Sequence, residues 1–349
     1  RHSVDLIHAH NQVAHLYSVL ASFATGKPVI VTFHGRAFSF LRRTIWLERL
    51  LLLKTHIAVA VSDNIKKVVN KLHVASPAKV RMVHNGISFE RMGGTSPLTG
   101  MEKHGARSRV DVSYDAFVIG SIGRLALVKN YELLVRAFAR FLSRRDKNRL
   151  QTTDYPPSQG SYSVASRPQS ERNGISQSGF PSSRSVVGSP LTVVNESIPG
   201  IKLLLVGDGP ERQNLESLVN ELGLRDHVIM PGMQADVLPW LRTMDVFCLS
   251  SLSEGIPITL LESGACGLPA VVTDVGGNGE VVEDGVTGLL VPSEDEAALA
   301  DAFGRLYADE QLRKSMGERA REGIVKHFSL EQMTASYDKL YREVLGRKQ

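Results

Sequence analysis

Two glutamates, Glu254 and Glu262, stand eight positions apart in the apolar stretch SEGIPITLLESGACGLP, residues 253–269. Pro257 favours the start of a helix and Gly267 favours its end, which places Glu254 on a loop and Glu262 on the helix. On one helix the carboxylates would be ~12 Å apart, whereas those of glycosidases lie about 5 to 9.5 Å apart. Unless the loop folds back, this spacing disfavours a two-carboxylate hydrolase. A charge at a helix start is the structural alternative for Glu254.

The neighbours of Glu262 leave its side chain little exposed surface. They are Leu260, Leu261, Ala265 and Cys266. A partly buried carboxylate is costly without hydrogen-bonding partners, and the hydroxyl groups of a bound ligand are suitable partners. The pattern therefore favours a ligand contact at Glu262, with a surface position on an amphipathic helix as the alternative.

Two cations, Arg124 and Lys129, lie in the stretch GSIGRLALVKNYELL between a strand that ends near Gly123 and a helix that begins after Asn130, a good N-cap residue. A loop at the carboxyl edge of a parallel sheet is a usual ligand site. Cations beside the positive end of a helix would neutralise a diphosphate there. A solvated basic loop explains the same residues equally well.

Two glycine pairs follow later strands of the sequence. The turn at Gly207 and Gly209 permits close backbone approach, but it lacks the third glycine of a dinucleotide fingerprint, which disfavours a dehydrogenase. The pair at Gly276 and Gly277 follows AVVTDV. It either brings another loop to the same edge or forms an ordinary turn.

Three histidines lie near the ends of predicted strands. His34 ends VTFHG, and His8 and His10 lie in LIHAHN, so each could face a cleft or be a satisfied structural residue. Neither an HExxH nor an HxxxH spacing occurs near them. The sequence therefore predicts no metal site.

Composition and charge exclude several classes of protein. At 349 residues with 42% hydrophobic content, the chain is long enough for two globular domains. The net charge of +5 is spread without a long basic run, which disfavours a nucleic-acid partner. Cys248 and Cys266 lack CxxC spacing and predict reduced core residues of a cytoplasmic protein. No apolar run reaches the ~18 residues that span a bilayer.

Short β-rich runs alternate with segments of helical period, which predicts βαβ units and parallel sheets. A Gly-rich polar stretch, 93–108, predicts the linker between a first domain at 1–100 and a second at 110–328. The predicted strands are 4–8, 29–33, 57–61 and 80–83, then 118–123, 201–207, 227–230, 245–249, 270–273 and 289–291.

Three further segments have distinct patterns. Residues 146–199 are rich in Ser, Gly, Pro and Gln, and predict a disordered surface insertion. Residues 329–349 predict an amphipathic helix docked across the domains. The stretch RRTIWLERLLLLKTH, 42–56, is basic on one side and apolar on the other. We interpret it as a core helix, with peripheral contact to the inner face of a membrane as the alternative.

A series of motifs gives the chain a family resemblance. The motifs are VTFHG, VAVSDNIKK, VRMVHNGI, IGRLALVKN, LLLVGDGPER, DVFCLSSLSEGIPITLLESGACGLPAVVTDVGG and GVTGLLV, in this order. The series resembles the family-four (group 1) retaining glycosyltransferases of GT-B fold, and E-x7-E is its most specific motif. The resemblance implies an α/β protein with two Rossmann-like domains that face each other across a cleft. It also implies a nucleotide-diphosphate sugar donor in the second domain and no metal or other cofactor.

The resemblance also implies roles for individual residues. Arg124 and Lys129 would hold the donor diphosphate, and Glu262 would bind the ribose hydroxyls. Glu254 and His34 would be the catalytic residues, contacting the transferred sugar from the two domains. Further residues implied are Gly255, Ile256 and Pro257 in the sugar and phosphate loop, the backbone of Met230, Pro231, Gly232 and Met233 at the base, and His8 and His10 on the acceptor side.

One part of the family pattern is missing. Members begin with a strand and a Gly-rich loop ahead of the region that resembles DLIHAHN, so the resemblance implies a truncated first domain. From the resemblance as a whole we expect a retaining transferase that acts on a glycan or lipid-linked acceptor in polysaccharide, glycolipid or glycoconjugate synthesis. The alternative is a non-catalytic nucleotide-sugar-binding or scaffolding protein.

Overall fold

The computed structural model describes residues 4–35, 42–92, 100–110, 112–153 and 200–346. By its internal contacts the chain forms two compact units, and the first comprises residues 1–144 and 199–349. Of the second unit, 145–198, only residues 145–153 are described, and they are the last turns of a helix. Most of the predicted insertion thus lies outside the described residues. Two parallel sheets, each the centre of a Rossmann-like domain, build the first unit.

The first domain contains a four-stranded parallel sheet with helices between its strands. Its elements are β1 (Ile7–His10), α1 (Asn11–Thr25), β2 (Val29–Phe33), α2 (Arg42–Lys54), β3 (Ile57–Ala60), α3 (Asp63–Lys71), a 3-10 turn (Pro77–Lys79) and β4 (Val80–Met82). The strand order is β1-β2-β3-β4. Because each strand pairs with the one before it and such crossovers are right-handed, the three helices lie on one face of the sheet.

The second domain contains a six-stranded parallel sheet. Its elements up to β7 are α4 (Gly100–Arg109), β5 (Phe117–Ile122), a 3-10 turn (Leu127–Lys129), α5 (Tyr131–Thr153), β6 (Ile201–Val206), α6 (Arg212–Glu221) and β7 (Val228–Gly232). The elements that follow are α7 (Leu238–Leu241), β8 (Val246–Leu249), α8 (Ile258–Ala265), β9 (Ala270–Thr273), α9 (Asn278–Val281), β10 (Gly288–Val291), α10 (Glu296–Ala308), α11 (Glu310–His327) and α12 (Leu330–Leu345). The strand order is β10-β9-β8-β5-β6-β7, so the order reverses between β5 and β8.

The last helix, α12, returns to the first domain. Leu340 of this helix is buried against Ile30, Ile57 and Val59, on the sheet face that α1 to α3 leave open. The backbone of Ile87 pairs with the chain just before α12, where its N–H donates to the Phe328 carbonyl at 3.0 Å. The end of the chain thereby closes the first core, which a sheet with helices on one face only would leave exposed.

Several sequence predictions need correction. The predicted linker 93–108 includes part of helix α4, where Arg107 is buried and bonds to Asp245 at 2.6 Å. Helix α5 continues to Thr153, so residues 146–153 of the predicted insertion are helical. Helix α5 begins directly after Asn130, as predicted. Asn130 itself, however, ends the preceding 3-10 turn with a φ of 49°. In α4 and in residues 146–153, good helix formers outweigh the polar composition that suggested loops.

The buried residues confirm the predicted state of the cysteines. Cys248 and Cys266 are free and buried within the cores of the second domain. In α2, Leu51 and Leu52 are buried as a core helix requires, while the opposite face exposes apolar side chains such as Trp46. None of the described helices is long and apolar enough to cross a bilayer. Peripheral membrane contact stays a prediction.

The packing of α12 can be tested at its buried position. Leu340→Ala should lower the free energy of unfolding by about 2 to 4 kcal/mol, because it removes buried methyl groups and leaves a cavity. Leu53→Ala, on the exposed face of α2, is the control and should change it by less than about 0.5 kcal/mol. Urea denaturation of both variants measures the difference, and equal effects would show that α12 does not seal the sheet.

Candidate active site

The candidate site lies at the carboxyl edge of the second sheet. Strands β5 and β8 are neighbours there, at the point where the strand order reverses. Ligands of open α/β sheets bind in the crevice that such a reversal creates. The loop after β5 carries Arg124 and Lys129, and the loop after β8 carries Glu254. The two loops therefore meet, although more than a hundred residues separate them in sequence.

An ion pair joins these two loops. The Lys129 ammonium lies 2.6 Å from Glu254 Oε1, and the two side chains are only 20% and 10% exposed. Ser251 Oγ donates to the same oxygen at 2.6 Å. The hydroxyl of Ser250 bonds to the carbonyls of Lys129 and Asn130, which fixes the cationic loop against the acidic one. Lys129 is thus neutralised, whereas exposed Arg124 has no carboxylate partner among the described residues.

Glu262 lies in the middle of α8, with its carboxylate half-buried. Burial, followed by the negative charge of Asp236, raises the pKa of Glu262 above its ordinary value. Within the described part of the chain no protein group donates a hydrogen bond to this carboxylate. Arg321 holds the helix itself by donating to the Ala265 carbonyl. Glu262 is therefore rigidly placed and still able to accept hydrogen bonds from a ligand.

The start of α8 is open to an anion. Pro257 is the residue before the helix, and no side chain caps the first backbone N–H groups. Such uncapped groups carry partial positive charge. Ile256 is buried, and its carbonyl accepts from Asn85 Nδ2 at 2.8 Å. The side chain of Ile256 is thus part of the core, and residues 255–257 can offer a ligand only backbone groups.

The first domain reaches the site through His34. A Cβ atom at Gly255 would lie only 2.0 Å from the His34 carbonyl oxygen, so the loop approaches this closely only because residue 255 is glycine. Gly276 is equally close to the backbone of Glu254 and has a φ of +60°. These contacts bring His34, the Glu254 loop and the Gly276–Gly277 turn together. The close-approach alternative for that turn is confirmed.

The other two histidines differ in their surroundings. His8 uses both ring nitrogens, Nδ1 with the Tyr341 hydroxyl at 2.7 Å and Nε2 with Thr32 Oγ1 at 2.8 Å. The predicted acceptor contact of His8 therefore lacks a free nitrogen, and the structural alternative fits this residue better. His10 is exposed, and its Nδ1 lies 2.7 Å from Nε2 of His34. Burial lowers the pKa of His34, and His10 lowers it further.

A cavity of about 410 Å³ opens beside the cationic loop. Arg124, Gly207, Met233 and Gln234 are among the residues that line it. Of the backbone predicted to meet a base, the Met230 carbonyl accepts from Arg212, the Pro231 carbonyl from Gln234 and the Gly232 carbonyl from the Gly207 N–H. Met233 thus lines the cavity directly, while the carbonyls of the three preceding residues already have protein partners.

Sequence reasoning missed three residues around the site. Ser251 bonds to Glu254, Asn85 bonds to the loop of Ile256, and Glu280 links the two domains. Asn85 lies within the motif VRMVHNGI, which carried the family resemblance without a role for that residue. Glu280 closely follows the Gly276–Gly277 pair, and this nearness was the one available signal.

Family models match both halves of the chain. The model of the Glycosyl transferases group 1 matches residues 191–323, and that of Glycosyltransferase Family 4 matches residues 1–91. This chain belongs to the group 1, family 4 glycosyltransferases. Over 99% of its length it is 28% identical to N-acetyl-alpha-D-glucosaminyl L-malate synthase of Bacillus anthracis, covering 76% of that protein. The lipopolysaccharide core biosynthesis glycosyltransferase LpsE of Rhizobium meliloti is 40% identical over 40% of the chain and 41% of its own length.

Solved structures agree with the fold of this glycosyltransferase. Anabaena Alr3699/HepE in complex with UDP superposes with a TM-score of 0.74 at 19% identity, over 97% of this chain and 79% of that one. Sucrose-phosphate synthase from Thermosynechococcus elongatus gives a TM-score of 0.73 at 21% identity, over 99% and 74%. The GT-B architecture predicted from the motifs is confirmed. Among the described residues no three His, Cys, Asp or Glu side chains cluster as a metal site, and metal independence stays a prediction.

The His8 environment makes stability depend on pH. Burial, followed by the charges of His10 and His34, lowers the pKa of His8 from 6.5 to about 4. Between these values the unfolded chain binds a proton that the folded one does not, so stability falls as the pH drops below 6.5. His8→Gln should reduce the loss between pH 7 and pH 5 by about 1 kcal/mol, allowing for solvent screening. His104→Gln, at an exposed histidine, is the control for urea denaturation at both pH values, and equal losses in both variants would contradict the assignment.

Proposed function

We propose that this chain transfers a sugar from a nucleotide-diphosphate sugar to an acceptor hydroxyl group. The observation that carries the proposal is the half-buried Glu262 carboxylate, which has no protein donor among the described residues. Glu262 lies about one turn into α8, the helix that follows β8 at the sheet edge where the cationic loop also lies. A carboxylate held this way needs ligand donors, and the two ribose hydroxyls of a nucleotide can provide them.

The diphosphate would lie between the ribose site and the start of α8. Arg124 supplies a positive charge without a carboxylate partner, and the uncapped N–H groups of α8 supply donors. Lys129 can move from Glu254 to a phosphate oxygen as the donor enters. The pair thus keeps the ammonium in place before binding and adds charge where the leaving group develops it.

The chemical step follows from the donor. The bond between the anomeric carbon and the diphosphate oxygen breaks, and its electron pair stays with the nucleoside diphosphate. The acceptor oxygen forms the new bond to that carbon, and its proton passes to the leaving phosphate oxygen. We propose retention of configuration, which rests on the family resemblance. Glu254 and His34 would contact the sugar from the two sides of the cleft, where closure excludes water.

Relatives indicate the probes to use. HepE was crystallised with UDP and with UDP-glucose, so UDP is the first nucleotide to test. LpsE is named for lipopolysaccharide core synthesis, which supports a glycan or lipid-linked acceptor. We also propose a cytoplasmic location with peripheral membrane contact. The exposed Trp46, Leu50 and Leu53 of α2 would supply that contact.

Donor binding tests the site directly. Glu262→Gln and Lys129→Ala should each weaken UDP binding by about 10-fold or more, because each removes a charged hydrogen-bond partner of the nucleotide. Titration calorimetry of the purified chain measures this, and ADP and GDP test the base. Glu322→Gln, at an exposed glutamate on α11, is the matched control. Full UDP affinity in both site variants would place the nucleotide elsewhere.

A substitution at Glu254 should slow transfer without weakening nucleotide binding. Glu254→Gln leaves Lys129 without its carboxylate partner, so UDP should bind at least as tightly as to the wild type. The transfer kcat should fall about 100-fold, because the variant loses a charged contact to the reacting sugar. Kinetics with UDP-glucose and an NMR assignment of the product anomer provide the measurements. An inverted anomer would contradict retention, and binding without any turnover in the wild type would favour the scaffolding alternative.

A further inference from the structure

Glu280 connects the second domain to the first. It lies on the short helix α9, and its carboxylate accepts from the backbone N–H groups of Asp63 at 2.8 Å and Asn64 at 3.1 Å. These are the first two residues of α3, in the first domain. His84 Nε2 lies 3.5 Å from the same carboxylate, whose side chain is 23% exposed. A charged group from one domain thus occupies the start of a helix in the other.

The contact is favourable for a specific reason. The first N–H groups of an α-helix have no acceptor within the helix, and they form its positive end. In α3 the Ser62 hydroxyl accepts only the Ile65 N–H. Glu280 satisfies the two amides before it with one carboxylate. Charge-assisted bonds of this kind are stronger than neutral ones, so the contact can hold two domains together.

The segment that carries Glu280 also touches the loop 254–257 ahead of α8, hereafter the donor loop. The Gly277 N–H donates to the Gly255 carbonyl at 2.9 Å. A Cβ atom at Gly277 would lie 2.3 Å from that oxygen and 3.0 Å from Cβ of Ser62. The few residues from 276 to 280 therefore contact the donor loop at one end and the first domain at the other.

From this geometry we infer that Glu280 is a positioning residue, which holds His34 of the first domain against the 254–257 loop of the second. The inference rests on the proposed transferase function and adds a residue that touches neither donor nor acceptor. The rate of a reaction between groups held on two sides of a cleft falls steeply when the distance between them changes. We call the contact between the Glu280 carboxylate and the Asp63 and Asn64 amides the latch. Its loss should slow transfer while leaving intact the proposed nucleotide site, whose residues all belong to the second domain.

The test compares Glu280→Gln with Glu283→Gln, the same chemical change at an exposed glutamate three residues along the chain. In Glu280→Gln the UDP dissociation constant should stay within about twofold of wild type, while the transfer kcat falls about 10-fold or more. Deuterium exchange at the Asp63 and Asn64 amides should accelerate about 10-fold or more, because they lose their acceptor. Glu283→Gln should match wild type in all three measurements.

A second variant separates positioning from a general loss of structure. Glu280→Asp keeps the charge but shortens the side chain, so its kcat should lie between those of wild type and Glu280→Gln, at an unchanged thermal midpoint. An unchanged kcat in Glu280→Gln, or a kcat that falls only in step with UDP affinity, would overturn the inference. If wild-type protein itself binds no nucleoside diphosphate, the proposed function fails, while the exchange experiment still decides whether the latch exists.

Discussion

The ion pair between Lys129 and Glu254 joins the two loops that leave the second sheet where its strand order reverses. Each group is expensive to bury alone, and the 2.6 Å contact offsets that cost while it holds the ammonium against the loop that leads into α8. In the proposed function a diphosphate would bring charge of the same sign as Glu254 and compete with it for the ammonium. The ion pair holds the two loops together without any ligand.

Close backbone packing gives this arrangement its precision. Glycine at 255 and 276 allows the donor loop, the turn before α9 and the His34 carbonyl to approach at distances that any side chain would prevent. Helix α8 is held in turn by α11, through Arg321 and through Gly264, which packs against Ile324. Glu262 thereby receives a fixed position from a helix whose C-terminal end is held by α11.

Several contacts connect the two domains. Helix α12 comes from the end of the chain and covers the open face of the first sheet, and Asn85 and Glu280 add polar contacts beside the site. A domain movement would have to break these hydrogen bonds while keeping the chain crossing at Ile87 and Ser329. Because the latch uses only backbone donors of α3, it depends on the position of that helix and hardly on its sequence.

The sequence by itself determined the alternation of strands and helices and the parallel sheets. It also determined the loops that carry Arg124, Lys129 and Glu254, and the helix that carries Glu262. Apolar runs and turn residues are local signals, and strand ends of a parallel sheet meet at one edge. Only the tertiary structure decided that Lys129 pairs with Glu254, that His8 is locked by Tyr341 and that Glu280 caps α3. Each of these contacts joins residues more than a hundred positions apart in sequence. Local propensity cannot specify which of two such remote residues will meet in the folded chain.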